Sequence, residues 1–255
     1  MRDFHLVDIS PWPLIIRLAT ANSILSIYIK INFLSCLLIF SITIVYVFFL
    51  WSRDIIRERT YQGIHPNKVQ LSLKYGIILF ITSEVIFFLS FFWTFFHSAL
   101  NPTNEIGNSW PRWGVEPINP FGIPLLNTLV LVSSGVSVTY AHHRILNQNY
   151  NRSIIWVVIT VLLGGYFTIL QFIEYVSSSF SIIDSVYGSI FFISTGFHGI
   201  HVLVGTLMIL FSLARLYDFQ FSLKHHLMFE FSCWYWHFVD LIWLFLFISI
   251  YWWGF

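Results

Sequence analysis

Seven stretches of this chain stay apolar for about twenty residues each, and nothing else in the sequence narrows the fold so far. They run over 13–30, 33–52, 74–99, 124–142, 154–176, 185–213 and 230–254. A helix rising about 1.5 Å per residue needs roughly 20 apolar residues to cross about 30 Å of hydrocarbon. Lipid offers no partner for a backbone N–H or C=O, so a spanning segment is a helix or part of a closed barrel. These runs are continuously apolar rather than alternating, which argues against a barrel. The first run is the weakest, being rich in Ser, Thr and Asn. The third, sixth and seventh have length to spare for tilt. The expected fold is an all-α integral membrane protein with seven transmembrane helices.

Composition agrees. Charged residues make up 10% of the chain, against about 25% in soluble domains. The net charge of +1 leaves no basic field for nucleic acid. Cys36 and Cys233 sit in apolar runs, form no C-x-x-C pair and are expected to be buried structural residues. The N-terminal stretch lacks the long apolar core and small-residue cleavage site of a signal peptide, and reads as a mature end.

Basic residues orient the bundle. With seven spans, one side of the membrane receives the N-terminal tail and the second, fourth and sixth connections. That side holds eleven of the thirteen Lys and Arg residues, and the other keeps only Lys30 and Arg112. The basic side is cytoplasm or mitochondrial matrix by the positive-inside rule, and the C-terminal "YWWGF" ends opposite, with Trp252 and Trp253 suited to the interfacial belt. The connection 101–124, full of Pro, Gly and Asn, is turn chemistry on that opposite side.

Four ionisable residues interrupt the apolar runs at one depth. Glu84 lies ten residues past Lys74, and Asp240 ten residues into the seventh run; His198 and His201 fall near the middle of the sixth. An ionised carboxylate there costs at least about 2.5–3.5 kcal/mol on the insertion scale, so a protonated, hydrogen-bonded acid is the cheaper state. One reading joins Glu84, His198, His201 and Asp240 in an intramembrane polar network tied to protons or structure. The blander one makes each a polar side chain gluing two helices. A third has His198 and His201, at i and i+3, share one metal edge; they cannot oppose each other across a haem, and no clear bis-histidine pair appears. Two midplane acids would also suit a cation-coupled transporter, but no internal repeat supports one.

At the basic surface, His142, His143 and Arg144, and Lys224, His225 and His226, form islands with Arg57, His65 and Arg215. They read as sites for anionic lipid headgroups or as ordinary flanking charge. Gly196, Gly199 and Gly205, with Gly164 and Gly165, argue for close helix packing in the second half of the chain.

The segments "SPWPL" (10–14), "WSRDIIRERTYQG" (51–63), "KYGIILFITSEVIFFLSFFWTFFHS" (74–98), "PLLNT" (124–128), "SGVSVTYAHH" (134–143), "DSVYGSIFFISTGFHGIHV" (184–202) and "WYWHFVDLIWLFLFISIYWWG" (234–254) follow one another along nearly the whole chain. In that order they resemble subunit III of the cytochrome c oxidases, in its mitochondrial form. The resemblance implies seven transmembrane helices in a two-helix plus five-helix arrangement with a V-shaped lipid cleft, dividing the chain at 1–71 and 72–255. It implies phospholipid headgroups held by Arg57 and Arg215, with Trp51, Glu58 and His65 nearby; His225 and His226 join them from the basic islands. It matches Glu84 to the family's intramembrane glutamate, which reacts with a hydrophobic carbodiimide. It implies no catalytic residue and no metal on this chain, haem and copper lying on the partner subunits I and II, with further accessory subunits around them. The implied role is to support proton uptake and durability while the complex passes electrons from cytochrome c to oxygen. The implied location is the mitochondrial inner membrane, N-terminus in the matrix and C-terminus in the intermembrane space.

Overall fold

The computed structural model describes residues 9–29, 33–63, 65–103, 107–223 and 225–255, with the backbone alone at 26–29 and 33. Arg2, Lys30 and Lys224, which enter the charge bias, and the linker residues 30–32 lie outside the described residues.

Among the described residues every extended element is a helix: α1 (Trp12–Ile29), α2 (Phe33–Thr60), α3 (Asn67–Leu100), α4 (Ile123–Leu146), α5 (Tyr150–Ser177), α6 (Val186–Tyr217) and α7 (Leu227–Leu246). A π-helical turn, Phe247–Trp252, continues α7. Among the described residues, six helices, α2 to α7, are long and apolar enough to cross a membrane. The expected seventh span, α1, is an 18-residue helix and is not among those six. Several helices outrun their apolar cores by one to two turns. The "SRDIIRERT" end of α2 and the "NKVQLSL" start of α3 are helical although charged or polar. Charge ends the hydrocarbon stretch, but it does not end a helix.

Local chemistry sets the starts. Pro124 stands in the first turn of α4, where a missing N–H costs nothing. The Asn149 side chain accepts from Arg152 N at 3.4 Å ahead of α5, and Ser185 Oγ from Gly188 N at 3.0 Å ahead of α6.

The chain divides into two compact units, 1–74 and 75–255, the boundary falling inside α3. In the first, α1 packs on α2, and Trp12 Nε1 donates to Asp54 Oδ2 at 2.8 Å. Leu38, Ile42, Val45 and Phe49 on α2 point outward, a face suited to hydrocarbon and ill suited to water.

In the second unit, α4 packs along α5 and α7, and α6 along the same two. Trp236 and Trp243 of α7 are fully buried at the centre. Gly164 and Gly205 make room for Trp236: a Cβ on either would lie 2.7 and 2.9 Å from its ring. Gly165 and Gly199 face open space, and Gly196 meets only the Tyr175 hydroxyl at 4.0 Å. The helix-packing role expected of five glycines thus falls to two. The described part of α3 from Tyr75 onward joins through rings, Phe87 on Phe197 at 5.1 Å and Phe95 on Trp253 at 5.7 Å. Cys233 is buried, whereas Cys36 is only partly so.

Candidate functional site

Glu84 and His201 meet. Both stand at the middle of their helices, α3 and α6, and His201 Nε2 lies 2.9 Å from Glu84 Oε2. The other ring nitrogen, Nδ1, lies 2.7 Å from the Phe197 carbonyl. A carbonyl only accepts, so Nδ1 carries a proton. Nε2 and Glu84 then share one further proton, either as an acid donating to a neutral ring or as carboxylate and imidazolium. The pair is walled by Phe88, whose ring is 5.1 Å from His201, and Tyr235, stacked at 6.3 Å.

His198, one turn away on α6, is buried and does not join that pair. Its Nε2 donates to the Val239 carbonyl at 3.2 Å. Its ring stands 5.6 Å from Phe167 and 5.1 Å from Trp243. Asp240 turns toward α4, where Gly135 leaves space: a Cβ there would come 2.5 Å from Asp240 Oδ2. No hydrogen bond joins Asp240 to Glu84, His198 or His201 among the described residues. The four residues occupy separate settings. The four also do not gather into a metal site: among the described residues, no three His, Cys, Asp or Glu side chains stand close enough to hold one ion.

A further buried carboxyl escapes the sequence reading. Glu174 on α5 is 1% exposed, and its Oε1 accepts from Tyr251 Oη at 2.5 Å and Gln171 Nε2 at 3.2 Å. Gln171 Oε1 accepts in turn from Asn127 Nδ2 of α4 at 3.3 Å. Three helical segments are tied here, toward the end of the unit opposite the basic connections.

The lipid-site residues fall into two groups. Trp51, Arg57, Glu58 and His65 line one hollow of about 480 Å³, together with Trp12, Asp54, Val69 and Leu73, all within the first unit. His65 is fixed by its carbonyl, which accepts from Arg59 Nη1 at 2.8 Å and Gln70 Nε2 at 3.1 Å. The hollow joins the Arg57 guanidinium and the indoles of Trp12 and Trp51 to an apolar wall, with the carboxyls of Asp54 and Glu58 also on its lining. A guanidinium beside an apolar wall is the pairing that a headgroup and its acyl chain would need. Arg215, His225 and His226 belong to the second unit and do not line it. Arg215 donates to Gln220 Oε1 at 3.0 Å and covers the Phe221 ring at 5.0 Å. His225 bridges to Ser222, and His226 Nδ1 lies 3.1 Å from the Ser222 carbonyl, with its ring 5.3 Å from that of His142.

Residues 2–255 match the family model described as cytochrome c oxidase subunit III. The chain is 56% identical over 253 residues to cytochrome c oxidase subunit 3 of Pisaster ochraceus, covering 98% of this chain and 97% of that one. It is 55% identical over 253 residues to that of Patiria pectinifera and 52% identical over 254 residues to that of Aedes aegypti, at the same coverage.

Proposed function

This chain belongs to the cytochrome c oxidase subunit III family, and from that premise we propose that it serves its complex as a phospholipid-holding subunit without a catalytic centre. Membership makes it a subunit of an oxidoreductase complex of the respiratory chain, assembled with other oxidase subunits. The finer reading is ours. Haem and copper sit on the partner subunits I and II, where electrons pass from cytochrome c to oxygen and protons are pumped. This chain packs beside them in the mitochondrial inner membrane, N-terminus in the matrix, C-terminus in the intermembrane space. It groups its helices as 1–71 and 72–255, holds phospholipid in the family's lipid cleft, and sustains proton uptake and durability during turnover.

The observation that carries the reading is the hollow of the first unit, where Arg57 and His65 meet Trp51 and an apolar wall. A phosphate needs the cation, and an acyl chain needs the wall. Arg215, His225 and His226 extend the reading as headgroup contacts of the second unit. Glu84, His198, His201 and Asp240 act in it as intramembrane polar residues, with Glu84 holding a proton against His201.

The test is oxygen uptake driven by reduced cytochrome c, before and after this subunit is stripped from the complex in detergent. The expected result is near-normal initial turnover that then decays faster over successive cycles. In complexes carrying Arg57→Gln, mass spectrometry should find less co-purified phospholipid, and the decay should move toward that of the stripped complex. Immediate loss of activity with an altered haem spectrum on stripping would place part of the catalytic site on this chain and end the proposal.

A further inference from the structure

We infer that the groove between α4 and α7 at Asp240 and His237 is a docking site for a transmembrane helix of another oxidase subunit, one that presents a hydrogen-bonding side chain at mid-bilayer depth. The groove is about 530 Å³, and Val132, Val136, Leu241 and Leu244 form its apolar walls. Its floor is polar. Asp240 stands at the middle of the 26-residue span Leu227–Trp252, and Gly135 at the middle of the 24-residue span Ile123–Leu146.

Proton accounting shows what the groove lacks. Thr139 Oγ1 donates to the Gly135 carbonyl at 2.8 Å, so its one proton is spent. His237 Nε2, 3.1 Å from the same hydroxyl oxygen, is therefore the donor in that contact. His237 Nδ1 is 3.9 Å from Asp240 Oδ2, too far for a hydrogen bond. Asp240 is nine-tenths buried, and its Oδ1, unpartnered among the described residues, is covered by the chain's own atoms. The groups left open to an incoming side chain are therefore Asp240 Oδ2 and His237 Nδ1. His237 meanwhile is 47% exposed. An ionisable side chain at this depth almost always faces protein or a water-filled cavity.

A lipid does not satisfy these groups, because acyl chains carry no donor or acceptor and headgroups lie at the interface. A membrane-spanning helix does, with a Ser, Thr, Asn, Gln or Tyr side chain opposite Asp240. Membership in a multi-subunit oxidase supplies such helices. The inference rests on that membership and not on the lipid-holding role, so Arg57→Gln and Asp240→Leu test the two separately.

The deciding experiment uses the assembled oxidase carrying Val136→Cys, a small apolar exchange on the groove wall. A benzophenone maleimide is attached, the membrane is irradiated, and the adducts are identified by mass spectrometry. The expected adduct is a peptide from a membrane span of another oxidase subunit. Adducts confined to phospholipid, or to a second copy of this chain, overturn the inference. As a second measurement, Asp240→Asn should keep the subunit bound through detergent washing, while Asp240→Leu should lower its retention about tenfold. Equal retention of the wild type and Asp240→Leu would also overturn it.

Discussion

At the scale of single residues, the Glu84–His201 contact fixes where one proton is shared. His201 Nδ1 is committed to the Phe197 carbonyl, so Nε2 is free to receive a donor from α3. An amide supplies one. Glu84→Gln is expected to keep the contact and assemble normally, whereas Glu84→Ala leaves a buried ring nitrogen unmet, at a cost of about 1–3 kcal/mol. Thermal unfolding of the subunit within the complex measures the difference. The double variant Glu84→Ala/His201→Ala should lose less than the two single losses together, since the second change removes the orphan left by the first. If Glu84→Gln abolished oxygen reduction outright, Glu84 would be an obligatory relay and not a held proton. Tyr251→Phe makes a parallel case. Losing the hydroxyl leaves Glu174 Oε1 with Gln171 as its remaining donor, and the same order of destabilisation is expected, read as a lower Tm.

At the scale of elements, the second unit is organised around α7, whose Trp236 lies in a slot opened by Gly164 and Gly205. Gly164→Ala is expected to destabilise by about 1–3 kcal/mol through overpacking. Gly165→Ala and Gly199→Ala, with nothing within 4 Å of the added carbon, should leave thermal stability unchanged. The contrast between neighbours 164 and 165 makes this a test of packing and not of glycine content. It also marks what a linear sequence carries. Apolar run length and charge marked the helices, and counting from the run ends gave an expected common depth for Glu84, His198, His201 and Asp240. Depth is a coordinate along an axis. Which residue meets which depends on the rotation of each helix and on its neighbours. Glu84 finds His201, while Asp240 turns to Gly135 on another side. Glu174 was missed because an acid two residues before the end of an apolar run looks like a flank. Tyr251 was given no role because the pattern does not announce a π-turn. That turn changes the facing of the last residues and brings the Tyr251 hydroxyl to Glu174.

At the scale of the whole molecule, the two units suit different work. The first has a hollow with one guanidinium, two indoles and an apolar wall. The second has a close-packed aromatic core crossed by polar contacts. Loss of the hollow's cation is expected to shorten the working life of the complex without stopping the first turnovers. Damage to the core is expected to remove the subunit altogether. Counting turnovers to half-inactivation in Arg57→Gln and Gly164→Ala complexes, beside the amount of subunit retained, separates the two outcomes.

The tie between Glu174 and Tyr251 also sets a schedule for biogenesis. The two residues are 77 positions apart, so Tyr251 leaves the ribosome well after α5. At about 5–20 residues per second, α5 waits roughly 4–15 seconds with its inner carboxyl uncovered. Only a ribosome that reads through Tyr251 delivers the hydroxyl that covers it. A chain stopped before Tyr251 would leave Glu174 Oε1 with Gln171 as its one side-chain donor among the described residues.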